Sequence, residues 1–128
     1  MISENRKKGD FAEIHARAFL RRKGYVLLGK NYAYRGGELD IIAKAPTGEI
    51  VFTEVKSAWS KKNGTPESRV QNQKQFKLWR TACHYLYHHF SLEQKSRFDV
   101  IAIQFENGKL QFRHYENAFE TKKTIPEC

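Results

Sequence analysis

The sequence of 128 residues has only two cysteines, Cys83 and Cys128. Their spacing is typical neither of a disulfide framework nor of a zinc site, because Cys83 falls within a helical pattern and Cys128 is the last residue. We therefore expect two free thiols in a reducing compartment. A chain of this length buries about two thirds of its unfolded surface on folding, so it needs no cross-link or structural metal.

Long apolar runs are also missing. Residues 1–8 are mostly polar and lack the apolar segment of a secretory signal peptide, and we predict that they are flexible. No stretch supplies the roughly 20 apolar residues that a membrane-spanning helix needs. We therefore expect a cytoplasmic protein that has no membrane partner.

Negative charge is scarce in comparison with positive charge. Lys and Arg number 23 against 14 Asp and Glu, which gives a formal net charge of +9. Such an excess favours a polyanionic partner, because neutralised phosphates release counterions and provide affinity for any nucleotide sequence. On charge alone we expect a nucleic acid. Attraction to anionic lipid or ribosomal RNA and a solubilising surface charge are the alternatives.

Hydrophobic periodicity and turn residues predict the order α-β-β-β-α-β-β. The predicted helices cover residues 10–23 and 66–90, and the predicted strands cover about 25–28 with an extension towards 34, 38–44, 50–56, 98–105 and 110–115. This order indicates an α/β fold, in which a mixed sheet is flanked by helices and the second helix crosses over to a parallel strand. We place the domain at residues 9–116 and a C-terminal tail at residues 117–128.

The second predicted helix has an apolar face and a cationic face. The apolar face, expected to pack on the sheet, carries Phe76, Trp79, Ala82, Cys83, Leu86 and Phe90. The opposite face, expected to meet solvent or phosphate, carries Lys74, Lys77, Thr81, His84 and His88. We interpret the histidines, with His89, as part of this cationic face rather than as zinc ligands.

Two predicted strands carry acidic residues inside apolar segments. One strand contains Glu38 and Asp40, and the next contains Glu54 and Lys56. Because side chains alternate along a strand, Glu54 and Lys56 share one face, and Val51, Thr53 and Val55 share the other. By the same rule we expect Glu38, Asp40 and Ile42 on one face.

The turn between these strands predicts how they pair. If residues 45–49 form a five-residue loop, Lys44 pairs with Ile50, which places Asp40 opposite Glu54 and Glu38 opposite Lys56. Opposed Cβ atoms are about 5 Å apart, and two carboxylates at that distance repel unless a cation lies between them. Mg²⁺ or Mn²⁺ fits such a site, with the backbone carbonyl of Val55 as a further ligand.

These residues have the chemistry for phosphodiester hydrolysis. A bound divalent cation polarises a phosphoryl oxygen and lowers the pKa of a water molecule. Lys56 would then orient or deprotonate that water, or stabilise the charge that builds on the phosphate. The pattern alone is equally compatible with a salt bridge from Glu38 or Glu54 to Lys56 on a solvated sheet face.

Asp40 followed by Glu54-Val55-Lys56 resembles the active-site motif of the PD-(D/E)XK nuclease superfamily, with Leu39 in the place of the proline. More closely, the chain resembles the YraN family of predicted endonucleases, which are related to archaeal Holliday junction resolvases. The resemblance covers about residues 9–105 and rests on Gly9-x-x-Ala12-Glu13, Gly24-Tyr25, Asn31-Tyr32, Gly36-Gly37-Glu38-Leu39-Asp40, Phe52-Thr53-Glu54-Val55-Lys56, Gly64-x-Pro66-Glu67 and Arg97-Phe98-Asp99-Val100.

The resemblance implies a restriction-endonuclease-like core and a Mg²⁺-dependent endodeoxyribonuclease, with branched or structured DNA among its expected substrates. It also implies that Glu13 joins Asp40, Glu54 and Lys56 as an additional carboxylate of the catalytic and metal site. The sequence alone explains Glu13 by an i,i+4 ion pair with Arg17.

The resemblance gives weaker expectations for other residues. Lys74 matches a basic position that could contact a phosphate, and Lys77 lies on the same predicted helix face. Asp99 is expected to anchor Arg97 or the strand end. Relatives carry an Arg shortly after the lysine of the motif, where this chain has Ser57-Ala58-Trp59, and Trp59 could stack on a base.

Two other functions fit the same sequence. A nucleic-acid-binding accessory protein would keep the nuclease scaffold without turnover. A basic interaction domain would bind a protein or a membrane and show no salt-dependent affinity for nucleic acid. A homodimer is expected by analogy with junction resolvases, which cut two strands symmetrically.

Overall fold

The computed structural model describes residues 4–57 and 72–120 and contains a five-stranded mixed sheet with one helix on each face. In chain order the elements are α1 (Glu4–Arg22), β1 (Val26–Tyr34), β2 (Gly37–Lys44), β3 (Ile50–Ser57), α2 (Asn72–His89), β4 (Ser96–Glu106) and β5 (Lys109–Phe119). Strands β3 and β4 are parallel, and the other neighbours are antiparallel. The predicted α-β-β-β-α-β core is therefore confirmed, with α2 in the crossover between the parallel strands.

Two element boundaries differ from the predicted ones by more than two residues. Helix α1 begins at Glu4 rather than at Asp10, within the segment predicted as a flexible N-terminus, because residues 4–8 include the good helix formers Glu, Arg and Lys. Strand β5 continues to Phe119, because Phe119 pairs with Phe98 of β4 beyond an irregularity in the register.

Some sequence-based expectations lie outside the described residues. They are the start of α2 near Pro66, the base-stacking role of Trp59 and the tail beyond residue 120. Neither described helix is both long enough and apolar enough to cross a membrane.

Helix α1 ends at Arg22, and Gly24 stops it as the sequence predicts. Gly24 has a φ of +88°, in the left-handed region that glycine adopts without steric cost. Its N–H donates to the carbonyl oxygen of Arg21, and the N–H of Tyr25 donates to that of Leu20, both at 3.0 Å. This pair of bonds is a Schellman motif, which satisfies the last helix carbonyls and turns the chain into β1.

The core consists of one apolar cluster on each face of the sheet. The cluster under α1 contains Ala12, Ala16, Leu20, Tyr25, Ile41, Ala43, Ala45, Val51, Ile101 and Ile103. The cluster under α2 contains Leu39, Ile42, Ile50, Phe52, Leu78, Ala82, Tyr85, Leu86, Phe98 and Val100. Each large apolar side chain buried in this way contributes roughly 1.5–3 kcal/mol, so the central strands are held firmly between the helices.

The face of α2 that packs on the sheet is rotated from the predicted face. Thr81, predicted to be solvated, is fully buried, whereas Phe76 and Phe90 are 41% and 43% exposed. The cause is the close approach of α2 to Gly37, where a side chain would meet Thr81 Oγ1 and the carbonyl oxygen of Lys77. Thr81 Oγ1 also donates to the carbonyl oxygens of Lys77 and Tyr34, at 2.8 and 3.3 Å.

His84, predicted on the cationic face of α2, packs on β1 instead. Its ring stacks on Tyr34 with 3.9 Å between the centroids, and its Nδ1 lies 2.7 Å from the hydroxyl of Tyr32. Burial and the neighbouring His88 lower the pKa of His84. His84 is therefore part of the packing between α2 and β1 and not of a cationic surface.

Candidate active site

The hairpin of β2 and β3 has the predicted register near its turn. Lys44 pairs with Ile50, and the pairing continues as far as Ile41 with Thr53. Asp40 and Glu54 are the next residues along the two strands. The five-residue turn therefore brings these two acidic residues to the same level of the sheet.

The pairing of β2 with β3 stops at this level. Instead of a backbone carbonyl, Oδ2 of the Asp40 side chain accepts the N–H of Val55, at 2.8 Å. Neither the predicted pairing of Asp40 with Glu54 nor that of Glu38 with Lys56 is present, because the ladder between β2 and β3 ends at Ile41 and Thr53. A buried carboxylate therefore lies where the two strands part.

The alternation of side chains along β2 breaks at Asp40. Leu39 packs in the cluster under α2, but Ile41, two residues later, packs in the cluster under α1. Asn31, which follows Lys30 opposite Ile41, has a φ of +50°, a conformation that asparagine tolerates better than most residues. The prediction that Glu38, Asp40 and Ile42 share a face is wrong, because the break puts Ile42 under α2 and Glu38 beside α1.

Glu54 lies on the face of the sheet that α2 covers, and 7% of the residue is exposed. Two lysines donate to its Oε1 atom, Lys56 from 3.1 Å and Lys74 from 2.6 Å. As predicted, Glu54 and Lys56 share a face, while Val51 and Val55 pack on the other. The salt bridge between Glu54 and Lys56 is present, but it is largely buried rather than on a solvated face.

The surroundings shift the pKa values of this cluster strongly. Burial and the charge of Glu54 raise the pKa of Asp40 to about 8, against the hydrogen bond from Val55. Burial lowers the pKa of Lys56. Burial acts in the same sense on Lys74, but hydrogen bonds with Glu54 and Lys56 overcome it and raise the Lys74 pKa. Near neutral pH the cluster therefore holds a proton on Asp40 and a positive charge on Lys74.

Glu13 approaches the same place from α1. Burial raises its pKa, the charges of Glu38 and Glu54 add to the increase, and Arg17 opposes it. When the Asn31 amide is oriented with its nitrogen towards the carboxylates, it donates to Glu13 Oε1 at 2.9 Å and to Glu38 Oε1 at 3.2 Å. Glu13 therefore lies near enough to Asp40 for its charge to raise the Asp40 pKa.

The other predicted contacts are placed as follows. No salt bridge joins Glu13 to Arg17 among the described residues, although Arg17 lowers the pKa of Glu13. Lys74 contacts Glu54, and Lys77 is exposed on α2. Within residues 4–57 and 72–120, no group of three or more His, Cys, Asp or Glu side chains is arranged to hold a metal ion. A cation in this region would therefore rest on Asp40 and Glu54, with backbone oxygen and water completing its shell.

Comparison with known proteins identifies a family. The profile of "Uncharacterised protein family UPF0102" matches residues 12–103. The chain belongs to the UPF0102 family. This is the YraN family that the sequence motifs indicate. The chain is 38% identical over 118 residues to a UPF0102 protein of Clostridium acetobutylicum, covering 91% of this chain and 96% of that protein.

Two further UPF0102 proteins have similar identity along nearly the whole chain. The protein of Pelobacter propionicus is 40% identical over 120 residues, covering 91% of this chain and 85% of its own. The protein of Geobacter metallireducens is 38% identical over 120 residues, covering 94% and 98%. Among solved structures, "The structure of Pyrococcus Furiosus SfsA in complex with Ca2+" matches with a TM-score of 0.40 and 16% identity, covering 90% of this chain and 64% of that one. This chain thus spans just under two thirds of that protein.

A second buried charged cluster of this UPF0102 protein lies at the start of β4. Asp99 is fully buried, and its two oxygens accept hydrogen bonds from Arg97 Nε at 3.0 Å, His114 Nε2 at 2.7 Å and the N–H of Asn117 at 3.0 Å. The predicted anchoring of Arg97 by Asp99 is confirmed. Arg97 also donates to Glu49 and to the hydroxyl of Tyr25, so it links β4 to the hairpin turn and to the end of α1.

Sequence analysis missed two groups that the fold brings near Glu13, which are the Asn31 amide and the basic side chain of Lys30. It named Arg17 only as an ion-pair partner of Glu13. A basic residue four positions after an acidic one on a helix is a common surface pair, so Arg17 carried no functional signal in the sequence. Lys30 lines the same depressions as Arg17, and this neighbourhood of β1 and α1 forms only in the folded protein.

Proposed function

We propose that this UPF0102 protein is a metal-dependent endonuclease of the PD-(D/E)XK type, which hydrolyses phosphodiester bonds in DNA. One observation carries the proposal: Asp40 is buried beside Glu54 where two strands part, with Lys56 on the same carboxylate. Two neighbouring buried carboxylates oppose folding, and such costly arrangements are concentrated at functional sites.

The chemistry of the donor set fits a hard divalent cation such as Mg²⁺ or Mn²⁺. The recorded hydrogen bonds use Oδ2 of Asp40 and Oε1 of Glu54. We assign the other carboxylate oxygens, Oδ1 and Oε2, as ligands, with the carbonyl of Val55 as a further oxygen donor. Because ligands bind metal in the deprotonated form, the proton on Asp40 must leave when the cation binds.

The residues around the carboxylates supply proton transfer and charge. When bound, the cation would polarise a phosphoryl oxygen of the substrate and lower the pKa of a water molecule. Burial lowers the pKa of Lys56, so its amine is neutral more often than that of an exposed lysine. The neutral amine can accept the proton of the attacking water. Lys74 keeps its proton, and its ammonium group can stabilise the negative charge that develops on the phosphate.

A cleavage assay with matched variants tests the proposal. Single-stranded, duplex, flapped and four-way DNA are incubated with Mn²⁺ and the wild type, Asp40→Ala, Glu54→Ala or the control Glu93→Gln, which changes an exposed carboxylate. We expect both site variants to lose at least about a hundredfold in cleavage rate while DNA binding stays intact or tightens. The control should cleave like the wild type. Cleavage that persists in both site variants, in preparations free of contaminating nuclease, contradicts the proposal.

A second candidate function is a nucleic-acid-binding protein without turnover. The observation that favours it is the neutralisation of Glu54 by Lys56 and Lys74, which needs no metal. Calorimetric titration of Mg²⁺ and Mn²⁺ separates the two functions, because a nuclease binds the ion through Asp40 and Glu54. Ion uptake equal in the wild type and in Glu54→Gln, without cleavage, supports the binding protein.

A further inference from the structure

A groove runs between α1 and the edge strand β1. It has a volume of about 420 Å³, and its lining includes the basic side chains of Arg17, Arg21 and Lys30. The apolar side chains of Ile14 and Leu28 also line the groove, and they are 54% and 38% exposed. Basic and apolar groups therefore share one open surface.

This groove continues towards the acidic site. A second depression, of about 270 Å³, shares Ile14, Arg17 and Lys30 with the first and reaches Glu13 and Asn31. Asn31 contacts Glu13 and Glu38, and Glu38 lies two residues before Asp40 on β2. The two depressions thus form a path that leads to the carboxylates.

The three basic residues are available for a ligand. Arg17 and Arg21 are one helical turn apart, so their side chains lie on the same face of α1, and Lys30 lies across the groove on β1. Arg21 and Lys30 are exposed, and within residues 4–57 and 72–120 none of the three forms a salt bridge.

We propose that this basic groove binds the sugar–phosphate backbone of one DNA strand and leads it to the Asp40 site, an inference that rests on the proposed nuclease function. Charge complementarity favours this occupant, because guanidinium and ammonium groups contact phosphates and hold a strand in position whatever its sequence. The exposed apolar side chains suit sugars and bases, as in other grooves for single strands. The path runs along α1, whereas the contacts with nucleic acid that we predicted from the sequence are Lys74 and Lys77 of α2 and Trp59.

Two triple variants with the same loss of charge test the groove. The groove variant is Arg17→Gln/Arg21→Gln/Lys30→Gln, and the control is Lys95→Gln/Lys109→Gln/Arg113→Gln, which changes exposed basic residues elsewhere. Fluorescein-labelled single-stranded and duplex DNA of roughly 20 nucleotides is titrated in EDTA over a range of NaCl concentrations, so that binding is measured without cleavage. Circular dichroism and the unfolding midpoint show that both variants fold.

We expect the slope of log K against log [NaCl] to become shallower by about 2 to 3 in the groove variant, because each lost phosphate contact removes about one unit. The control should change the slope by less than about 1. Equal slopes in the two variants, or no DNA binding by the wild type, overturn the proposal. Binding to vesicles that contain phosphatidylserine is measured in parallel. The proposal is also overturned if the groove variant loses vesicle binding but binds DNA like the wild type.

The same measurements separate this inference from the proposed activity. If the slope of log K against log [NaCl] becomes shallower in the groove variant but the wild type cleaves no DNA, the groove remains a DNA-binding surface and the proposed nuclease activity is rejected. Cleavage that depends on Asp40, together with equal salt slopes, keeps the nuclease and rejects the groove.

Discussion

Two aspartates lie in the same sheet, Asp40 on β2 and Asp99 on β4, and their surroundings shift their pKa values in opposite directions. Burial and Glu54 raise the pKa of Asp40 to about 8. Burial acts to raise the pKa of Asp99 as well, but hydrogen bonds from His114, Arg97 and the Asn117 N–H lower it below its usual value. Burial alone therefore does not decide the charge of an acidic residue in this fold.

The difference comes from the hydrogen bonds that each carboxylate accepts. The carboxylate of Asp99 is held by donors from two side chains and one backbone N–H, so its negative charge is compensated on every side. The Asp40 carboxylate accepts one recorded backbone N–H and lies beside a second carboxylate. The Asp99 cluster thus has the properties of a structural network, whereas the Asp40 cluster contains electrostatic strain that a cation would relieve.

The largest effect on stability is expected at Asp99, whose hydrogen-bond network supports the fold. Asp99→Asn keeps the shape of the side chain but removes the charge that compensates Arg97, so we expect a loss of about 3–5 kcal/mol in the free energy of unfolding. Urea unfolding at pH 7 measures it. The control is Glu93→Gln on the surface, which should change the stability by less than about 0.5 kcal/mol. A loss below 1 kcal/mol for Asp99→Asn would mean that the network is not a main support of β4.

The second prediction concerns a divalent cation and the Asp40 site. Because the folded protein offers the carboxylate pair and the unfolded chain does not, Mg²⁺ at about 100 times its dissociation constant should stabilise the wild type by about 2.7 kcal/mol. Thermal unfolding in MgCl₂ and in EDTA measures this difference. Asp40→Asn should lose the gain, and Asp99→Asn, if enough of it folds, should keep it. An equal gain in the wild type and in Asp40→Asn would place the ion elsewhere.

The third prediction concerns the free energy of unfolding of Asp40→Asn. This change should stabilise the protein, whereas Asp99→Asn should destabilise it. A raised carboxyl pKa means that, between about pH 4 and pH 8, the folded protein holds a proton that the unfolded chain has lost. The wild type therefore loses stability as the pH rises through this window, by up to about 1.4 kcal/mol for each pH unit. Asparagine does not titrate, so Asp40→Asn should become more stable than the wild type towards pH 8.

Urea unfolding of Asp40→Asn and the wild type at pH 5, 6, 7 and 8 measures this trend, with EDTA present so that no cation contributes. The expected result is a difference in the free energy of unfolding that grows with pH in favour of the variant. A constant difference, or one that grows in favour of the wild type, would show that Asp40 is ionised in the folded protein throughout this range.

Local sequence patterns were enough to predict much of the fold and the positions of Asp40 and Glu54 along their strands. The alternation of apolar residues gave the strands, and the five-residue turn gave the register that brings Asp40 next to Glu54. Both features depend on residues that are close in the chain. The family resemblance added Glu13, whose place beside the site depends on the packing of α1.

The remaining features depend on contacts between distant elements. Alternation assumes a regular strand, so it could not show that Asn31 and Asp40 interrupt the pattern and separate Glu38 from Ile42. The helical projection of α2 counted only apolar residues, whereas Gly37 allows Thr81 to be buried instead. The basic groove was not visible, because its cations come from a helix and an edge strand that meet only in the folded protein.

The smallest effect is expected from Lys74, which connects the two carboxylates of the site. Its ammonium group donates to Glu54, and its charge is a minor influence that lowers the pKa of Asp40. In Lys74→Met we therefore expect the Asp40 pKa to rise further, by less than about one unit, while that of Asp99 stays unchanged. Carbon-detected NMR titration of the side-chain carboxyl groups measures both.

Lys77→Met is the matched control, because Lys77 is exposed on the same helix and should leave the Asp40 titration in place. An Asp40 pKa that does not move in Lys74→Met would mean that this lysine neutralises Glu54 alone. The carboxylates of Asp40 and Glu54 would then still interact directly, but Lys74 would have no part in the electrostatics of Asp40. A shift at Asp40 without one at Asp99 would instead confine the coupling to the candidate site.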